Sequence, residues 1–358
     1  MGATLAEIKL MKENVTSKVK IKSAGGVRTL DLGQLQLLLC WMSMLKDSSV
    51  AKYLGLDLGG TNIKIAVIEK KDNSWKIVKT KDVPAEAEKG PAHVVTRLTQ
   101  LAQEHLAEFK DLAGVGVAVP GVFDAKKGTI ILFPNLPGPW KGFQILAPIA
   151  DAMRLPTGLI NDARAFTLAE AIMGAAAGKS TVVCYVIGTG VGGGVVVNGK
   201  IHMGSTGGAG EIAHQIVKYD GPQCGCGMKG CAETLTNSSA LANFAGTENA
   251  QQAYIKAMAG DEKALAAFKE VSYWISIALT NVMATLAPEV IVIGGGVSQS
   301  GDLLLNEIRK AMVEKATLYP PEAINIVPAT LGFYAGAIGA ALNGAITAGA
   351  QISLMSTT

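Results

Sequence analysis

The order of apolar and polar positions along this chain predicts alternating strands and helices. Apolar runs bounded by turn residues predict strands over 52–57, 63–69, 75–80, 115–119, 157–160, 181–187, 193–197, 290–293 and 323–327. Val95, Leu98, Leu101, Leu106 and Phe109 recur at helical spacing and predict a helix over 92–109. Further helices are expected over 163–174, which is Ala-rich, over 268–286 and 303–316, and over 334–348, which is built of small residues. One pattern occurs twice. Residues 53–61 and 183–190 both read as a strand running into a glycine-threonine turn, and a second strand follows each. This recurrence predicts two homologous halves, each a sheet with helices on its faces. Ligands of such sheets sit outside the carboxyl ends of the strands.

The first 50 residues follow a different pattern. Their apolar stretch at 37–45 is nine residues long, and a membrane span needs about 20. A secretory signal would place it earlier and add a small-residue cleavage site. Glu7, Glu13 and Asp31 break up the basic residues, unlike a transit peptide. The expectation is an extension over 1–50, poorly ordered or carrying one docked helix, on a cytoplasmic protein with no membrane partner.

Composition narrows the function. Of the 358 residues, 49% are apolar and 17% charged, which excludes a disordered, solvating chain. The formal charge is +3, and residues 1–50 account for all of it; the rest is balanced. A nucleic-acid binder shows a concentrated basic face, so no nucleic-acid partner is expected. Three of the five cysteines crowd into 224–231, which reads as a metal site in a reducing compartment.

The candidate chemistry lies at strand ends. Asp57, Gly59, Gly60, Thr61, Asn62 and Lys64 form a turn whose glycines let backbone amides approach an anion. Gly188, Thr189 and Gly190 form a second such turn, and Gly294 and Gly295 open a third. Three glycine-rich turns at strand ends favour phosphate and nucleotide contacts over plain hairpins. Asn161 and Asp162 sit at a strand-to-helix junction. On local grounds Asp162 caps the helix; beside a substrate hydroxyl it is a general base. His214, Cys224, Cys226 and Cys231 offer the Cys₃His set of a structural zinc site, with Glu211 and Glu233 flanking the ligands.

Together these motifs resemble the ROK (repressor, open reading frame, kinase) family of sugar kinases. They are Asp-x-Gly-Gly-Thr at 57–61, Asn-Asp-Ala at 161–163, Gly-Thr-Gly at 188–190 and Cys-x-Cys-Gly-x-x-Gly-Cys-x-Glu at 224–233, and the likeness spans 52–345. It implies an α/β actin-like ATPase (ribonuclease H-like) fold, two duplicated domains around a cleft. A small domain would take 51–165 plus 332–358, its last helix packing back from the larger, zinc-bearing domain of 166–331. The resemblance also implies ATP- and Mg²⁺-dependent phosphorylation of a hexose 6-hydroxyl, glucose first, in a homodimer. Asp162 would be the base. Asn135, Asn161, Glu211, His214 and Glu233 would hold the sugar, and the three glycine turns the nucleotide. N-Acetylmannosamine, fructose, or glucose and mannose with polyphosphate as donor are the alternatives within the class. A sugar-responsive repressor is the alternative outside it. Two positions depart from the family pattern: Ala213 stands where glycine is usual, and Pro139 is an added proline in the loop beside the sugar residues.

Overall fold

The computed structural model describes residues 18–23, 26–31 and 50–352, apart from 73, 134, 135 and 206. The chain divides into two compact units at Ala51/Lys52. In the first, β1 (Lys18–Ser23) and β2 (Gly26–Asp31) pair antiparallel. No strand is expected there from the apolar clusters, although Val19 and Ile21 alternate with lysines ahead of Gly25-Gly26. The helix expected over 37–45 lies outside the described residues.

The second unit is built on two five-stranded sheets with one shared plan. The first contains β3 (Val50–Leu58), β4 (Asn62–Lys71), β5 (Ser74–Pro84), β6 (Leu112–Val119) and β9 (Thr157–Asn161), in the order β5-β4-β3-β6-β9. The second contains β10 (Val182–Ile187), β11 (Val191–Val197), β12 (Lys200–Ile201), β13 (Val290–Gly294) and β14 (Ile326–Pro328), in the order β12-β11-β10-β13-β14. In each, a three-residue link turns the first strand back beside the second, and two further strands add in parallel on the other side. The duplicated α/β architecture is the one expected. A small antiparallel pair, β7 (Val122–Asp124) and β8 (Thr129–Leu132), stands apart.

Sequence explains the layers. The central strands are buried on both faces, as parallel neighbours require. The edge strand β5 is mostly exposed and carries Lys76, Lys79 and Lys81, which discourages pairing with another sheet. Leu54, Leu56, Ile63 and Ile65 meet Val94, Leu98 and Leu101 of α1 (Pro91–Glu108) in one core. A second core joins Tyr185, Ile187, Ile291 and Ile293 to long helix α7 (Glu262–Leu286) through Phe268, Ile275 and Leu279. α8 (Asp302–Lys315) adds Leu304, Ile308 and Met312 to it. Short helices α2 (Leu146–Met153), α4 (Ala232–Thr236), α5 (Ser238–Ala245) and α6 (Ala250–Met258) fall where no regular pattern was visible.

The layer between the sheets is rich in small residues. α3 (Asp162–Ile172) leaves the first sheet and leans on β11, where a Cβ at Gly192 or Gly194 would meet Ala163 or Thr167. α9 (Ala335–Thr347) returns to the first sheet, its backbone against β3 and β6. On those strands glycines alternate with large apolar residues: Gly55 between Leu54 and Leu56, Gly116 between Val115 and Val117. A Cβ at Gly116 would overlap the Ala340 carbonyl oxygen, and one at Gly339 would overlap that of Ala165.

The two chain crossings meet at one carboxylate. Glu170, near the end of α3, is fully buried. It accepts hydrogen bonds from the Ala175 amide (2.8 Å), the Thr330 amide (3.0 Å) and hydroxyl (3.3 Å), and the Leu331 amide (2.9 Å). Four donors offset the cost of sealing this charge from water.

Gly116→Ala is expected to lose about 2 kcal/mol or more through overpacking, read as a lower melting temperature. Gly296→Ala, in open space with helical φ and ψ, should melt near wild type.

Candidate functional site

Asp162 is the first residue of α3, and Asn161 is its cap. The Asn161 carboxamide oxygen accepts from the Ala163 (3.1 Å) and Arg164 (3.3 Å) amides, and its nitrogen donates to the Gly121 carbonyl at 3.2 Å. The capping role that local sequence offered Asp162 therefore falls to its neighbour, whose carboxamide oxygen is committed to the fold while its NH2 keeps one hydrogen to donate elsewhere. One oxygen of Asp162, Oδ1, accepts from the Ala163 amide at 2.8 Å.

Electrostatics at Asp162 oppose one another. Burial and the neighbouring Asp57 and Glu211 carboxylates push its carboxyl up to about 6, against the Ala163 amide and Lys64, which pull it down. The helix N-terminus favours the anion, yet desolvation and like charge win. Asp57 is the penultimate residue of β3, 5% exposed. Burial raises its pKa too, and Lys64 Nζ, 3.5 Å away on β4, opposes that rise. A side chain at Gly336, at the start of α9, would strike the Asp57 carboxylate.

The predicted turns are solvent-facing where a ligand needs them. Gly60, Thr61 and Thr189 are exposed at the tips of the β3–β4 and β10–β11 links. Asn62 has a different duty: its nitrogen donates to Asp82 at 3.1 Å, and the Tyr334 hydroxyl donates to the same carboxylate at 3.2 Å. Gly188 donates its amide to Gly190 within the second turn at 2.8 Å. Gly294 ends β13 and Gly295 follows it; Gly295 has φ of 88° and lies so close to Ile187 that a side chain would overlap its backbone.

His214, Cys224, Cys226 and Cys231 bring one ligand atom each to within 4.8 Å of one another. Cys226 and Cys231 sulfurs are 3.6 Å apart, as are the Cys224 sulfur and His214 Nδ1. A tetrahedral zinc with Zn–S bonds of about 2.3 Å sets its thiolates about 3.8 Å apart. The donor set and the spacing therefore fit such an ion. Glu233 joins this cluster to the second turn. Its Oε2 is 3.5 Å from the Cys224 sulfur and 3.7 Å from His214 Nδ1, while its Oε1 accepts from the Val191 amide at 3.1 Å.

Glu211 is half-exposed, and its Oε1 pairs with Arg164 Nη2 at 2.9 Å. Arg164 was not singled out by any motif; its partner lies 47 positions on. The fold thus gathers Asp57, Lys64, Asp162 and Glu211 at one place, with Glu233 and the cluster at the second turn. Asn135 lies outside the described residues. Ala213 is buried in the short turn Ile212–His214 with ordinary φ, so the family glycine is not required there. Pro139 is exposed beside Trp140, which is buried and donates to the Pro137 carbonyl at 2.9 Å.

The sequence profile of the ROK family matches residues 53–343. This chain belongs to the ROK family. The glucokinase of Halalkalibacterium halodurans is 32% identical over 311 residues, 80% of this chain and 93% of that one. The xylose repressor of Bacillus spizizenii is 28% identical over 69% of this chain and 63% of its own. Among solved structures, the ROK hexokinase of Thermus thermophilus aligns with a TM-score of 0.72 and 32% identity, over 82% of this chain and 98% of that one. The ROK glucokinase of Streptomyces griseus, solved with glucose and AMPPNP, aligns with a TM-score of 0.70 and 27% identity, over 82% and 99%. The fold is that of ROK proteins and actin-like ATPases. No helix among the described residues is long and apolar enough to cross a membrane.

A carboxylate whose pKa is raised in the folded chain destabilises it once ionised. Asp162 adds no such penalty below pH ~4, the unfolded value, and exacts it fully as pH rises through about 6. Asp162→Asn should therefore melt above wild type at pH 8 and level with it below pH ~4, which thermal melts across that range will check.

Proposed function

We propose that this ROK protein is a sugar kinase that transfers the γ-phosphoryl group of ATP to the 6-hydroxyl of a hexose, with glucose the first candidate. The observation that carries the reading is Asp162: a carboxylate at a helix N-terminus, with pKa about 6, beside a second carboxylate and a lysine. A general base works best with a pKa near the working pH. The glucokinase and hexokinase relatives support the same reading.

In this mechanism Asp162 accepts the hydroxyl proton at Oδ2, since the Ala163 amide already occupies Oδ1. The turns Gly59–Thr61, Gly188–Gly190 and Gly294–Gly295 orient the triphosphate through the amides that do not close the turns themselves, as those of Gly59 and Gly188 do, and Lys64 adds positive charge. Magnesium, bound with ATP, would neutralise the phosphate oxygens, and Asp57 is the carboxylate placed to hold it. Glu211 and Glu233 accept from sugar hydroxyls, with Asn135, Asn161 and His214 completing the set. Because His214 gives Nδ1 to the metal cluster, only Nε2 is left for sugar. Zinc held by His214, Cys224, Cys226 and Cys231 would supply a cross-link that fixes the loop carrying Glu211 to the helix carrying Glu233. Closure of the domains, 51–165 plus 332–358 on 166–331, excludes water from the transfer. The protein is proposed to act in the cytoplasm as a homodimer.

The repressor relatives favour a second reading, a sugar sensor without turnover. A coupled ADP-release assay over a panel of hexoses and amino sugars, with ATP and with polyphosphate, separates the two. Phosphorylation of glucose with ATP is the expected result; sugar binding with no product from any donor would leave the sensor.

Asp162→Ala is expected to lose about 10²–10⁴-fold in kcat while calorimetry still detects sugar. In wild type, kcat/KM should fall on the acid side with an apparent pKa near 6, because the base must be ionised. Elemental analysis should find one zinc per chain, and Cys226→Ser should lose the metal together with soluble yield.

A further inference from the structure

Arg164 is a buried charged side chain of α3 that the reaction above does not use. It sits in the first turn of α3, two residues after Asp162. Its side chain is 3% exposed, whereas that of Glu211 is 45% exposed. The guanidinium makes two well-aligned bonds to one loop: Nε donates to the Ala209 carbonyl and Nη2 to Glu211 Oε1, each at 2.9 Å.

That loop has little structure of its own. Between β12 and the short turn Ile212–His214, the described residues of 202–211 contain no strand or helix. Gly204, Gly207 and Gly210 all have positive φ, in backbone conformations that few other residues adopt. A carboxylate on such a loop has many orientations available. A planar guanidinium offers its donors in a fixed fork, so holding a backbone carbonyl and a carboxylate together sets both position and direction. With Oε1 taken, Oε2 is the oxygen of Glu211 left without a partner among the described residues.

We infer that Arg164 is a positioning residue for substrate selection: it borrows the rigidity of the helix that bears Asp162 and presents Glu211 to a sugar through the single oxygen Oε2. The site then recognises one particular hydroxyl of a polyol and discriminates against analogues that lack it. This rests on the kinase reading for its substrate class, not for the geometry.

Arg164→Met, Arg164→Lys and Glu211→Ala, with the double variant Arg164→Met/Glu211→Ala, test the assignment in the full chain. Sugar KM, ATP KM and kcat are measured for each, and sugar affinity by calorimetry. Arg164→Met should raise sugar KM about tenfold or more, the loss expected from one charge-assisted hydrogen bond, with kcat and ATP KM within about twofold of wild type. Arg164→Lys should recover part of it. In the Glu211→Ala background the same substitution should change sugar KM by less than about twofold. Among singly deoxygenated glucoses, one should bind wild type poorly and be discriminated no longer by Arg164→Met. Equal losses in both backgrounds, or kcat and ATP KM falling together with sugar KM, would mark Arg164 as merely structural and overturn the inference. So would an unchanged sugar KM. If Arg164→Met does not fold, Arg164→Lys carries the same cycle. If wild type binds sugar but yields no product, the kinase reading fails, and the calorimetric cycle still decides the role of Arg164.

Discussion

Two helices of small residues can lie between two sheets only if backbone touches backbone. At Gly339 the carbonyl of Ala165 occupies the volume a side chain would need, and at Gly55 and Gly116 the carbonyls of α9 do the same. The Phe166 ring fills the space against Gly294, and at the glycine contacts backbone meets backbone, so the layers have little freedom to slide. Everything at the site is referred to that contact. Asp162 stands at one end of the helix that makes it, Asp57 at the end of a strand beneath it, and Gly336 leaves room for the Asp57 carboxylate.

The charges are arranged around this frame with opposite requirements. Asp57 and Asp162 are both driven toward the neutral form by burial, and each raises the cost of the other's charge. Lys64 relieves both. Arg164 and Glu211 are paired, and Glu170 is fed by amides and a hydroxyl. Glu233 is shared between sulfur, imidazole and the Val191 amide, so the cluster and the second turn are coupled through one side chain. Asp162 is left with a pKa raised to about 6 and with one carboxylate oxygen, Oδ2, without a partner among the described residues. That is the state a proton acceptor needs, reached here through conflict between a helix terminus that favours its charge and surroundings that do not.

Strands and turns were readable in the sequence because period-two patterns ending in glycine are local signals. The predicted strands of both sheets, the helices over 92–109 and 163–174 and the long helix ending at Leu286 stand within a few residues of their expected limits, though α7 begins earlier, at Glu262. The strand expected over 323–327 begins late, at Ile326, because Pro320 and Pro321 start a short turn instead. The helices between Ala232 and Met258 went unseen: their apolar positions are largely alanine, which gives little contrast between faces. Cap and first helical position could not be told apart at 161–162, where Asn and Asp are both good caps. Glu170 and Arg164 stayed hidden for another reason. Their partners lie 160 and 47 positions away, and nothing local records such a meeting.

The buried carboxylate at the crossing has a mechanical meaning. Glu170 binds the start of the outgoing link through Ala175 and the incoming link through Thr330 and Leu331, and a charge sealed from water does not release such donors one by one. The joint therefore clasps the two links together at one point between the sheets. Asp162 stands two turns further up the same helix, so the tie at Glu170 and the carboxylate at the helix N-terminus share one rigid support.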